Sequence, residues 1–161
     1  MKKTIVFIGL CLILTGCKQS MYYLKLPTSY YGHKFVYKLK IPQKFVATQY
    51  HPVTGEASET ENSARLPDGS IVYITDNTNS GGRYNEQKIA KYGKNFGLLN
   101  YRLKDTATLY GVYNGKYWKE KKYPIVVVGY YNVSASDVNL YEKILSDVAS
   151  QIDSLKKISG K

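Results

Sequence analysis

The sequence predicts an α+β domain, an antiparallel sheet packed by one long C-terminal helix, and three observations predict it. In KFVYKLKI, Phe35, Tyr37, Leu39 and Ile41 alternate with Lys34, Val36, Lys38 and Lys40, the period of two expected of a half-buried strand. DTATLYGVY and KYWKEKKY flank Asn114 and Gly115, a pair that accepts positive φ at both positions and so favours a type I′ hairpin turn. Val138, Tyr141, Leu145, Val148, Ile152 and Leu155 recur at intervals of three and four, which places one apolar stripe along a helix. Strands first and a helix last imply antiparallel pairing, and 161 residues suffice for one core.

The chain begins with a different kind of segment. Lys2 and Lys3 precede Ile5 to Leu14, an apolar run of about ten residues, the size of a secretory h-region. As a helix it is about 15 Å long against a hydrocarbon core of about 30 Å, too short for a membrane span. Leu14, Thr15, Gly16 and Cys17 follow in the order aliphatic, small, glycine, cysteine. The segment resembles the signal peptides of bacterial lipoproteins, whose lipobox has that order. The resemblance implies that residues 1–16 are cleaved and that the Cys17 sulfur receives a diacylglycerol. Its freed amine would take a further acyl chain such as palmitate. The expected location is the cell envelope, through a lipid anchor in the membrane. Lys18 stands where many inner-membrane lipoproteins carry Asp, which favours an outer-membrane destination, in the envelope that also holds the periplasm, if the source has two membranes.

Cys11 falls in the cleaved segment and Cys17 is the lipid attachment site, so the mature chain has no thiol left for nucleophilic, redox or metal chemistry. Without Lys2 and Lys3, 21 basic residues face 12 acidic ones, a charge of +9. An exported, lipid-anchored chain seldom meets nucleic acid, so the partners this charge suits are anionic lipid, an acidic glycan or an acidic envelope protein. A merely solvated basic surface is the alternative.

Residues 17–33 read as the acylated cysteine and a tether, since Pro27, Gly32 and four tyrosines show no sustained period. Packing of Tyr22, Tyr23, Tyr30 and Tyr31 as a first strand is the competing reading. Residues 34–161 form the single globular domain. Pro42 ends the KFVYKLKI strand, Phe45 to Tyr50 suggests a short strand, and PVTG with EASETEN reads as a turn and a polar loop. Pro67, Asp68 and Gly69 turn into SIVYITD, a β-branched and aromatic strand. YNEQKIAKYG predicts a short helix closed by Gly93. PIVVVGYYNV is a mostly buried strand whose Pro124 confines its start to an edge or bend. Ser134 and Asp137 stand at capping-box spacing before the long helix, with Ser136 as an alternative cap. YGVYNGKYWK, PIVVVGYYNV and LYEKILSDV, in this order, resemble the PsbP-like fold of small exported proteins over about residues 34–155. That resemblance of pattern implies a fold, and by analogy a binding or assembly role.

Catalytic signals are sparse. His33 and His51 lack any metal-ligand or triad spacing, and neither a GxSxG elbow nor a phosphate-binding glycine loop is present. Glu56, Glu59 and Glu61 crowd one polar loop and read as solvated charge. Asp76, Thr78, Ser80 and Gly81 echo the start of a calcium loop, but Gln87 occupies the position that needs a bidentate Glu. SGGRY resembles an element of the lipid-anchored inhibitors of c-type lysozyme, with Ser80, Gly81 and Tyr84 matching; a basic charge and missing cysteines depart from it. Seventeen tyrosines and one tryptophan are the most unusual feature, and Tyr110, Tyr113, Tyr117 and Trp118 are the candidate binding face, suited to sugar rings or a partner's side chains. The expectation is therefore a non-enzymatic binding or assembly lipoprotein without metal or cofactor. An inhibitor or immunity-type protein against a cell-wall enzyme is the alternative.

Overall fold

Tyr22–Tyr30 (β1) and His33–Ile41 (β2) form a separate antiparallel hairpin, with Leu24 opposite Leu39 and Leu26 opposite Tyr37. The computed structural model describes residues 21–30, 33–51, 60–79, 81–83, 86–93 and 104–158; the signal segment and Cys17 lie outside the described residues. The tether expected over residues 17–33 is corrected by β1. Its alternation buries Leu24 and Leu26, so the strand reading holds from Tyr22 onward and the domain does not wait for residue 34.

A six-stranded antiparallel sheet follows: Val46–Tyr50 (β3), Glu61–Arg65 (β4), Ile71–Thr75 (β5), Ala107–Tyr113 (β6), Lys116–Tyr123 (β7) and Val126–Val133 (β8), in the order β3-β4-β5-β8-β7-β6. β6 and β7 close through Asn114 and Gly115 at φ 49° and 71°, the positive pair that the Asn-Gly signal demands. β4 is the strand that its composition hid. Glu61, Asn62 and Ser63 are buried because each finds a partner: Arg83, the Lys25 carbonyl and the Thr48 carbonyl.

One face of the sheet carries the apolar core. Ala64, Val72, Ile74, Val126, Val128 and Tyr130 meet Leu24, Leu26, Tyr37, Leu39 and Ile41 from the hairpin and Tyr141, Ile144, Leu145, Val148 and Ile152 from the helix Val138–Ile158 (α2). A bulge near the end of β8 keeps this face intact. Asn132 takes φ 63° and the register slips between Tyr117 and Lys119, so Val133 returns to the side of Tyr130. α2 also closes the hairpin's free edge. The Gln151 side chain accepts from Lys38 N at 3.0 Å and donates to Lys38 O at 2.8 Å, as a neighbouring strand would.

The cap of α2 departs from the capping box. A short 3-10 turn, Ala135–Asp137, precedes the helix, and the Ser134 hydroxyl donates to Asp137 Oδ2 at 2.5 Å instead of accepting a backbone N–H. A second helix, Glu86–Tyr92 (α1), lies on the opposite side of the sheet and ends at Gly93, φ 77°, whose N–H donates to Ile89 O at 2.8 Å.

Candidate functional site

The four aromatic residues expected to form one face are divided between two. Cross-strand partners share a face of the sheet, and β6 and β7 pair Tyr110 with Lys119, Gly111 with Trp118, Val112 with Tyr117 and Tyr113 with Lys116. Tyr110 and Tyr117 therefore stand with Val112, Lys119 and Lys121. Trp118 and Tyr113 stand on the other side. Trp118 is buried: the Tyr92 ring meets it edge-on at 5.7 Å between centroids, and a β-carbon on Gly111 would approach its Nε1 to 2.8 Å. The quartet is thus corrected to Tyr110 and Tyr117 as exposed members, with Trp118 a packing residue.

The exposed members belong to a strip on β6 and β7 beside α2. Tyr110 is 63% exposed, Val112 57% and Tyr117 37%, high values for side chains of strands whose other face is packed. Lys119 and Lys121 border them and converge on Glu142 of α2, at 2.7 and 4.0 Å from its Oε2. Tyr130 donates to Glu142 Oε1 at 2.8 Å. Burial pushes the Glu142 carboxyl up, but the Lys119 and Tyr130 hydrogen bonds and the two ammonium charges outweigh it and hold it below its usual value. The strip is apolar and cationic, with one neutralising carboxylate at its border.

The edge of β6 itself is partly closed. Lys91 Nζ donates to the Tyr110 carbonyl at 2.5 Å, and its ammonium lies 5.0 Å from the Tyr110 ring centroid. Tyr92 Oη also reaches that carbonyl, at 3.5 Å. An edge strand blunted this way resists strand addition at its middle. Its side-chain face remains the accessible part.

On the opposite face lies a polar cluster that composition did not announce. Glu120 is completely buried, and its Oε2 accepts from Tyr73 Oη at 2.5 Å, Gly82 N at 3.0 Å and the buried Lys88 Nζ at 3.0 Å. Lys88 also donates to Gly82 O at 3.3 Å. β-Carbons on Gly82 or Gly129 would collide with the Tyr73 ring, and one on Gly81 with the Glu120 carboxylate. The adjacent Arg83 donates from N and Nε to the two oxygens of Glu61, at 2.5 and 3.0 Å, while its guanidinium sits 4.8 Å over the Tyr50 ring. Glu61 is therefore a buried clamp, not the solvated charge expected. The signals for this cluster were the lone acid of KYWKEKKY, in step with Trp118, and the paired glycines of SGGRY.

The other expected features have structural tasks or fall elsewhere. Asp76 Oδ1 accepts from Thr60 N at 2.7 Å, and His51 Nδ1 shares a hydrogen bond of 3.2 Å with Thr60 Oγ1. Ser80, Tyr84, Glu56 and Glu59 lie outside the described residues, as does the side chain of His33. Among the described residues no three His, Cys, Asp or Glu side chains converge as metal ligands, and no helix is long and apolar enough to cross a membrane. Comparison of the chain with protein families, with characterised proteins and with solved structures finds no match.

Proposed function

We propose that this chain is a lipid-anchored lipoprotein of the bacterial cell envelope that acts as a non-enzymatic binding or assembly module, with an envelope protein as partner of the β6–β7 strip. The anchor rests on the ordered signal of Lys2, Lys3, the apolar run and Leu14, Thr15, Gly16 and Cys17. The binding role is carried by one observation: Tyr110, Val112 and Tyr117 stand exposed together beside Lys119 and Lys121. Tyrosine offers an apolar ring and a polar tip, the combination enriched where proteins meet, and the lysines favour an acidic rim on the partner. The buried carboxylates support a structural reading, since Glu120 with the buried Lys88 and Glu61 with the exposed Arg83 tie the glycine loop and α1 to the sheet.

The two halves are tested separately. Wild-type protein made in cells with radioactive palmitate is expected to label and to enter the detergent phase, whereas Cys17→Ala does neither; an unlabelled wild type refutes the anchor. A photo-crosslinker at Tyr110 is expected to capture one discrete envelope protein, and Val112→Asp to abolish the adduct. A crosslinker at Glu86, on the other side of the sheet, is expected to miss that partner. Equal capture from both positions, or none from Tyr110, refutes the strip as a binding face.

A further inference from the structure

We propose that the outward face of the β1–β2 hairpin is a membrane-contact surface, resting on anionic lipid headgroups beside the anchor. The proposal rests on the lipoprotein reading and names the lipid surface against which the anchored domain lies. Tyr23, Lys25 and Pro27 of β1 and Lys34, Val36, Lys38 and Lys40 of β2 all point away from the core and are exposed. Lys25 stands directly opposite Lys38, an arrangement in which like charges repel. Among the described residues none of Lys25, Lys34, Lys38 and Lys40 makes an ion pair. Their counter-charge is not in the nearby chain either. No Asp or Glu occurs before Glu56, while Lys18, Lys25, Lys34, Lys38, Lys40 and Lys44 all follow Cys17 within that stretch.

Most of the excess positive charge is therefore gathered next to the expected anchor. Apolar groups are interleaved with it: Tyr23 is 49% and Val36 50% exposed, and tyrosine favours the boundary between headgroups and water. Reach permits the contact. Tyr22 lies five positions after Cys17, at most about 18 Å of extended chain, and a nine-residue strand is about 30 Å long. Attraction to anionic lipid acts only within a Debye length, about 8 Å at physiological ionic strength. The acyl chains bring the hairpin into that range; the lysines then orient it.

The test uses the acylated protein as processed in cells, reconstituted into vesicles of phosphatidylcholine alone or with phosphatidylglycerol. Because acylation blocks Cys17, Val36→Cys carries the sole thiol for an environment-sensitive fluorophore, and Glu86→Cys on α1 is the control. On anionic vesicles the probe at position 36 is expected to shift to the blue and to become several-fold less accessible to an aqueous quencher. The same probe on neutral vesicles and the probe at position 86 are expected to stay accessible. Lys34→Glu with Lys38→Glu is expected to abolish the difference, and the milder Lys34→Gln with Lys38→Gln to reduce it. Equal accessibility on both lipids by a protein that co-floats with them overturns the proposal. So does protection by a soluble acidic polysaccharide with none by anionic vesicles. Failure to co-float with neutral vesicles, with an unmodified Cys17 in the intact mass, overturns the anchor reading alone. The hairpin face would then be judged by salt-sensitive binding to anionic vesicles, whose presence supports it and whose absence overturns it.

Discussion

Glu120 shows how one side chain can hold a loop and a helix at once. Its carboxylate takes a phenol, a backbone amide and an ammonium group inside the protein, so removing any partner strands charge away from water. Lys88→Met is expected to lower stability by about 3–5 kcal/mol, the usual penalty for breaking a buried pair from one side. Adding Glu120→Leu relieves the stranded charge but leaves the Tyr73 hydroxyl and Gly82 amide without their acceptor, so only part of the loss returns. Urea unfolding of the two variants checks both statements; a Lys88→Met protein as stable as wild type would show that Glu120 is solvated. Glu61 makes the same point with Arg83. Composition identifies an acid, but only three-dimensional neighbours decide whether it is loop charge or clamp.

The elements differ in how plainly their residues announce them. α2, the β6–β7 hairpin and β2 follow directly from period and turn chemistry: the Tyr141, Leu145, Val148 and Ile152 stripe is buried, Asn114 and Gly115 take positive φ, and Lys34, Val36, Lys38 and Lys40 face out. β4 was illegible because ENSAR has no apolar alternation, and its burial is stabilised by partners distant in sequence. β1 was obscured by Pro27, which lacks an N–H to donate, although Leu24 and Leu26 keep the alternation. The exposed strip was half legible, since the aromatics of β6 and β7 were visible but their division between faces depends on register. For α2, Leu145→Ala is expected to cost about 2–5 kcal/mol, a cavity in the middle of the core. Gln151→Ala is expected to cost about 1 kcal/mol, because Lys38 N and O lie at an edge where water can replace the lost bonds. Thermal melts of both would rank them, and the reverse order would place the stability of the helix on its edge contact and not on its stripe.

At the scale of the whole molecule, tyrosine chemistry sets a limit on the alkaline side. Burial above all pushes the phenols of Tyr123, Tyr130, Tyr131 and Tyr141 up from their ordinary value of 10.0; for Tyr130 the hydrogen bond to Glu142 adds to the effect. These four residues belong to β7, β8 and α2, so the effect is not confined to one corner. A phenol whose folded pKa lies above its unfolded one favours folding fully while pH is below the unfolded value. That contribution is lost as pH climbs through 10 toward the folded value, because the unfolded chain releases the proton first. Lys122 works in the opposite direction, since burial foremost holds its ammonium down from 10.5, but it is one group against four. On the acid side Glu142, held low, contributes stability above the ordinary carboxylate value of 4.5 and loses it as pH falls through its depressed one. Urea midpoints measured against pH should therefore fall above pH 10; below 4.5 the loss at Glu142 lowers them, while Asp76, whose carboxyl burial foremost pushes up from 3.8, works in the opposite direction. Tyr130→Phe should flatten the alkaline fall while leaving the other three phenols to titrate, and Glu142→Gln should flatten the acid one. An alkaline fall unchanged in Tyr130→Phe would mean that this phenol already ionises as readily in the folded protein as in the unfolded chain.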